Sequence, residues 1–276
     1  MKKTKKDKYI GVFDSGFGGL DILKTITKKL PEYNYIYLGD TARAPYGTRS
    51  KEVIYEFTIQ AVDFLFKNNC EIIILACNTA SSDALKKIQQ EYLPKHYPGK
   101  KVLGVLIPTA EEAIKKTLNK KIGVIATERT VKSNSFKKEL LKLNSKVKVY
   151  QNACPLLVSI VETGEQNSDF TETILDKYLK PLIKKDIDTL ILGCTHYGIL
   201  ESKIKKVIGN KILVLSGTKI IPKKLETYLK NHPEIKKLLS KKRKITFYTT
   251  DLTDKFILLG SKFFGKKIIA KKISLK

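Results

Sequence analysis

Short apolar, β-branched runs alternate along the chain with longer stretches whose apolar side chains recur at helical spacing. KYIGVFD (8–14) and YNYIYLGD (33–40) are of the first kind. GGLDILKTITKKL (18–30) is of the second, with Leu20, Leu23, Ile26 and Leu30 on one face before Pro31. A long amphipathic stretch at 50–69 takes Ser50 as its N-cap, and an apolar run at 72–76 follows it. YLPKHYPGK (92–100), with two prolines and a glycine, predicts a linker or crossover. The alternation then restarts, with strands predicted at 101–106, 121–126, 147–151, 189–193, 210–216 and 244–250. Thr109 and Glu112 fit a capping box after Pro108, and Pro181 predicts a kink or break in the helix at 168–185. Strand–helix alternation predicts an α/β fold with mostly parallel sheets, whose sites lie beyond the carboxyl ends of the strands. The restart, with a cysteine-terminated strand in each half, predicts two similar domains facing each other across a cleft.

Composition narrows the class. A chain of 276 residues with 42% hydrophobic content can bury a large core in one or two domains. No apolar run approaches the ~20 residues that span a bilayer, so no membrane association is expected. The basic MKKTKKDK is followed by too short an apolar run for a signal peptide. The first seven residues are therefore expected to be a frayed tail on a cytoplasmic protein. A formal charge of +26 points toward nucleic acid, but all but four of the 53 basic residues are lysine, spread over the whole chain. The exceptions are Arg43, Arg49, Arg129 and Arg243. Arginine is the usual bidentate reader of phosphate and guanine, so a compositional lysine bias is preferred over a specific nucleic-acid site. The four cysteines include no C-x-x-C pair, which argues against a disulfide framework, a zinc ribbon or a thioredoxin-like motif.

Chemistry concentrates where strands give way to polar residues: Asp14, Asp40, Cys77, Thr127 and Cys194 all fall there. DSGFGG (14–19) is a tight glycine turn. It serves either packing alone or the capture of a small carboxylate while aiming Asp14. GDTARAPYGTRS (39–50) is a polar loop whose Pro45-Tyr46-Gly47 turn brings backbone amides toward a ligand. A lone cysteine in an apolar strand is ordinarily a small core residue, and Cys70 and Cys154 are read so. Cys77 and Cys194 differ, because each ends an apolar run before small polar residues, and Cys77 precedes a helix, whose N-terminus favours thiolate. Asp14 and His196 are candidates to relay protons to one thiol each, and Glu162 to serve His196. His96, between prolines, is read as a surface residue. Two thiols facing each other permit removal of a carbon-bound proton from one side and return to the other, which is racemisation without a cofactor. A zinc site from Cys77, Cys194 and His196 is the competing use of the same ligand types, without a close ligand pair to support it.

GVFDSGFGGL, GDTARAPYGTRS, LACNTAS, ATERTVKS, ACPLLVSIVETGE and LGCTHYG, in this order from about residue 10 to residue 217, resemble the signature blocks of the glutamate racemase family. Aspartate racemase and broader relatives share the two-cysteine plan with a looser match. The resemblance implies two three-layer α/β domains related by pseudo-twofold symmetry, with the substrate between them. It implies a discontinuous first domain (1–98 plus 212–276) around a second (99–211). Cys77 and Cys194 match the catalytic thiols, the first acting on D-glutamate and the second on L-glutamate, and Asp14, Glu162 and His196 match their acid–base partners. Asp14, Ser15, Tyr46, Gly47, Asn78, Thr79, Thr127, Thr195 and His196 match substrate-binding positions. The resemblance further implies glutamate as substrate, no pyridoxal phosphate, metal or nucleotide, and D-glutamate as a feed for peptidoglycan synthesis. A homodimer is among the assemblies open to it. Two positions depart from the family pattern: Gly198 stands where proline is usual after CTHY, and Leu215 where an acidic residue is usual before Ser216 and Gly217. The alternatives are racemisation of aspartate or another amino acid, and a lysine-rich nucleic-acid-binding protein on a racemase scaffold.

Overall fold

The computed structural model describes residues 6–276, so most of the predicted N-terminal tail lies outside the described residues. Among the described residues ten strands, all paired in parallel, form two sheets. The first holds β1 (Tyr9–Asp14), β2 (Tyr35–Gly39), β3 (Cys70–Leu75), β4 (Lys101–Gly104), β9 (Ile245–Thr249) and β10 (Ala270–Lys272), in the order β10-β9-β2-β1-β3-β4. The second holds β5 (Lys121–Ala126), β6 (Lys148–Ala153), β7 (Thr189–Gly193) and β8 (Leu213–Leu215), in the order β6-β5-β7-β8. This is the predicted α/β architecture of mostly parallel sheets. β2, β3 and β7 are buried along their whole length, which is why they read as unbroken apolar runs rather than as alternation.

Sheet membership differs from the predicted division of the chain at two strands. β4 continues the first sheet by pairing Ile72–Leu75 with Lys101–Gly104, although the restart was placed before it. β8 closes the second sheet beside β7, although the return was placed before it. The chain therefore changes sheet after Gly104 and again after Leu215. Both are edge strands, and an edge strand looks the same in sequence whichever sheet it joins.

Three local readings also change. The stretch read as a linker at 92–100 is helical over Leu93–His96, with Pro94 in its first turn, where no backbone donor is lost. The helix after β4 begins at Leu106, so Pro108 occupies its first turn and Thr109 bonds back to Val105 carbonyl at 2.7 Å instead of capping. The helix Asp169–Ile183 is not divided at Pro181, so the predicted break is absent. Among the described residues no helix is long and apolar enough to cross a membrane.

Packing joins the two sheets. One buried cluster takes in Ile10, Val12 and Leu20 from the first sheet's layers and Leu190, Leu192 and Tyr197 from the second's. Cys70 and Cys154 are fully buried in the core, as read, and His96 is exposed.

Candidate active site

The first thiol is set by β1 and β3, which run side by side and end together. Past β3, Cys77 starts the short helix Asn78–Asp83 and is 5% exposed. Ser15 Oγ, just past β1, lies 3.4 Å from its sulfur. Burial, followed by the nearby Asp14 charge, pushes the Cys77 thiol up to about 12, against the opposing Ser15 hydrogen bond and Ala80 amide. Asp14 itself is fully buried, and that burial raises its carboxyl above the usual range against the pull of His196 and of the Gly16, Gly19 and Thr195 donors. Gly16 N–H donates to Asp14 Oδ1 at 3.0 Å and Thr195 Oγ1 to Oδ2 at 3.2 Å.

β7 sets the second thiol. Cys194 follows Gly193 and is more open than Cys77. Its sulfur lies 3.8 Å from His196 Nδ1. His196 Nε2 comes 3.2 Å from Glu162 Oε1, an ion-pair distance, but its N–H is not aimed at that oxygen and has no hydrogen-bond partner. Burial works against charge on His196, but the Cys194 sulfur, Glu162 and Asp14 outweigh it, raising the imidazole to about 10. Phe17 and Phe263 pack edge-on to the ring, with centroids 5.6 and 6.0 Å away.

The glycine turn at 14–19 proves to be a packing device between these halves. A Cβ on Gly18 would lie 2.5 Å from Thr195 Oγ1 and 2.9 Å from His196 Nδ1. One on Gly19 would lie 2.6 Å from Asp14 Cβ. The bare backbone thus lets the first sheet's turn press against the end of β7.

Both thiols line one cavity of ≈160 Å³, together with Ser15, Tyr46, Gly47, Asn78, Thr79, Thr127 and His196. Asp14, Glu162 and Thr195 do not line it: the first lies behind Ser15, the second behind His196, and Thr195 faces a smaller cavity behind Cys194 that Gly198 and Ser216 also line. Leu215 packs into the second sheet's core. Tyr46 and Gly47 are held over the cavity by a buried carboxylate. Asp40 accepts from Tyr46 Oη at 2.5 Å, from Arg43 Nε at 2.7 Å and from Thr250 Oγ1 at 2.8 Å. Across the cavity, Thr79 Oγ1 is 3.1 Å from Thr127 Oγ1, and a Cβ on Gly47 would meet Thr127 Cβ at 2.8 Å.

Sequence reasoning missed Pro155, Val158 and Ser159, which also line the cavity. Pro155 caps the helix Leu156–Thr163, and Val158 and Ser159 precede Glu162 by helical spacing on it, so the periodicity around that residue was the available signal. Phe263 had no local signal, since it reaches His196 from the C-terminal helix Asp254–Phe264. Among the described residues no group of three or more His, Cys, Asp or Glu side chains is placed to hold a metal ion.

Comparison with known proteins gives the same picture. The Asp/Glu/Hydantoin racemase family model matches residues 11–224. A glutamate racemase of Sulfurihydrogenibium sp. is 42% identical over 93% of this chain and 94% of its own length. One from Lactococcus lactis subsp. cremoris is 40% identical over 93% and 92%. Among solved structures, a glutamate racemase isoform from Bacillus anthracis superposes with a TM-score of 0.89 at 36% identity, covering 98% of this chain and 99% of that one. The Francisella tularensis glutamate racemase, solved in complex with D-glutamate, gives 0.88 at 36% identity and 98% coverage of both chains. With both thiols on one cavity and likeness running nearly end to end, the chain belongs to the Asp/Glu racemase family and, within it, to the glutamate racemases.

Proposed function

We propose that this protein interconverts L- and D-glutamate by passing the α-proton between two thiols on opposite faces of the substrate. The observation that carries the reading is the one cavity that Cys77 and Cys194 both line, with His196 3.8 Å from the second sulfur and the buried Asp14 near the first. With L-glutamate, the Cys194 thiolate takes the α-proton. The electron pair of the broken C–H bond is held on the α-carbon and its carboxylate, and the Cys77 thiol returns a proton to the other face. D-glutamate runs the same steps in reverse. Hydroxyls and amides at Ser15, Asn78, Thr79, Thr127 and the Tyr46-Gly47 turn hold the two carboxylates, while Thr195 acts from behind through its hydrogen bond to Asp14. Asp14 tunes Cys77, and His196, steadied by Glu162, carries the positive charge that offsets a thiolate at Cys194. No cofactor enters these steps.

Incubating purified protein with L-glutamate alone and following the circular dichroism of the amino acid tests the reading. The signal should decay to zero as the racemate forms. A signal that stays constant at micromolar enzyme overturns it. Glutamate is preferred over aspartate through the family, and a higher kcat/KM for aspartate would reverse the substrate while leaving the thiol chemistry in place. D-Glutamate made this way feeds peptidoglycan synthesis, which locates the protein in the cytoplasm. The reading accommodates a homodimer, which light scattering would detect. It gives the lysine excess no role, and sequence-selective DNA binding at ~150 mM salt would contradict that.

A further inference from the structure

Two of the four arginines lie in buried ion pairs beside the cavity. Arg43 holds Asp40, as described above. Arg129 reaches across the cleft: its Nε lies 2.5 Å from Asp83 Oδ2, with the two side chains 19% and 3% exposed. Asp83 is the last residue of the helix Asn78–Asp83, which begins right after Cys77. Arg129 is the second residue of the helix Glu128–Ser133, which Thr127 caps by accepting from Thr130 N–H. The first helix belongs to the first sheet's layers and the second follows β5 of the second sheet. Around the ion pair these two helices, and the helix Ser135–Leu143 that follows the second, touch through hydroxyls. Thr79 Oγ1 lies 3.1 Å from Thr127 Oγ1 and 3.3 Å from Thr130 Oγ1, and Ser135 Oγ donates to Ser82 carbonyl at 3.2 Å.

We propose that Arg129 and Asp83 are positioning residues that clasp the two sides of the cleft, setting Asn78 and Thr79 against Thr127 around the substrate's carboxylates. The inference rests on the racemase reading for its kinetic arm only. Breaking an ion pair buried this deeply leaves its two ends uncompensated unless water reaches them. Separating the two helices to admit substrate therefore breaks the pair, and water must solvate both ends. The clasp thereby sets how much of the free protein already has the site assembled. Apparent affinity scales with that fraction, so weakening the clasp raises KM while the bound complex, once closed, turns over as before. The same opening uncovers Cys77, which the closed cleft buries.

The test compares Arg129→Met, Asp83→Asn, the double variant and Arg129→Lys with the parent, each checked for folding by circular dichroism. Two readouts are taken: KM and kcat for L-glutamate, and the rate at which a water-soluble disulfide reagent labels Cys77 without substrate, read by peptide mapping. Each single variant should raise KM about tenfold and leave kcat within about twofold, with the pH profile of kcat unmoved. Cys77 labelling should speed up by a similar factor. The double variant should be no worse than either single one, because both remove the same contact. Arg129→Lys should recover part of the loss. If Arg129→Met does not fold, Asp83→Asn carries the same expectations. Labelling of Cys77 at the parent rate in the folded single variants overturns the proposal, and so does a double variant whose effects add. Should the parent prove inactive on glutamate, the labelling rates still decide the clasp, so the two readings fail separately.

Discussion

The two thiols sit at equivalent strand ends yet in opposite electrical surroundings. Cys77 is buried beside a buried carboxyl, and burial together with Asp14 pushes it up to about 12. Cys194 is more open and has His196 for a neighbour, raised to about 10 and backed by Glu162. The surroundings of one thiol thus disfavour thiolate, and those of the other favour a cation beside it. The contrast shows how a near-symmetric fold supports a reaction that needs an acid and a base at once. In the proposed mechanism these surroundings suit Cys77 to give a proton and Cys194 to take one when L-glutamate is the substrate. For D-glutamate the proposed roles exchange.

Removing either sulfur breaks the comparison outright. A serine hydroxyl stays protonated where a thiol ionises, so Cys77→Ser and Cys194→Ser should each lower racemisation by about 10³-fold or more, measured by circular dichroism. In deuterated water, NMR of the α-proton should show each enantiomer gaining deuterium as it inverts. Substantial early exchange into recovered, unconverted substrate would falsify the two-thiol mechanism.

Replacing the partners instead of the thiols should sharpen the contrast. Asp14→Asn and His196→Asn should each cost about 10²-fold in kcat/KM, with opposite signatures in stability. The Asp14 carboxyl is raised by burial, so the folded state holds its proton more tightly than the unfolded chain does, and ionisation above the folded pKa is a cost. Asp14→Asn should therefore keep or raise Tm at pH 7. His196 is raised from 6.5 to about 10, so its contribution is full below pH 6.5 and vanishes as pH rises through about 10. His196→Asn should accordingly lower Tm by about 2–4 °C per kcal/mol lost at pH 6, a deficit that shrinks toward pH 10 in differential scanning calorimetry.

Smaller effects test what holds the halves together. Gly18→Ala places a Cβ where Thr195 Oγ1 would be 2.5 Å away, so the end of β7 must shift. The expected loss is about tenfold in kcat/KM, with retained folding by circular dichroism. Tyr46→Phe deletes the donor to buried Asp40 and should destabilise by about 1.5–3 kcal/mol in urea titration, with only a few-fold rise in KM.

Much of this was legible along the chain because the informative events are local. An apolar run that stops at cysteine, asparagine and threonine marks a strand end entering a helix, and Cys77 and Cys194 declared themselves that way. Alternation also gave the fold class, but it says nothing about which strand is whose neighbour. That is why β4 and β8 were given to the wrong sheets. The Tyr46-Gly47 turn was visible, whereas the reason it stays over the cavity was not. Asp40 is contiguous with it, but Thr250, which completes the network, is supplied from beyond β9. Likewise Glu162 was visible, while the ring of Phe263 against His196 required a contact between distant segments.

The two sheet changes, after Gly104 and after Leu215, have a mechanical consequence. Each leads directly into a helix, Leu106–Lys116 and Gly217–Asn231, and these pack on one another with Lys224 Nζ 2.5 Å from Glu111 Oε2. Two adjacent covalent tethers between two rigid bodies act like a pair of pins in one hinge: sliding and twisting are resisted, and swinging about a single axis remains. A cleft that opens by swinging moves its two walls apart without shearing them past each other. On reclosing, the two sulfurs return to the one cavity they share, and an inversion at carbon needs that pairing restored each time.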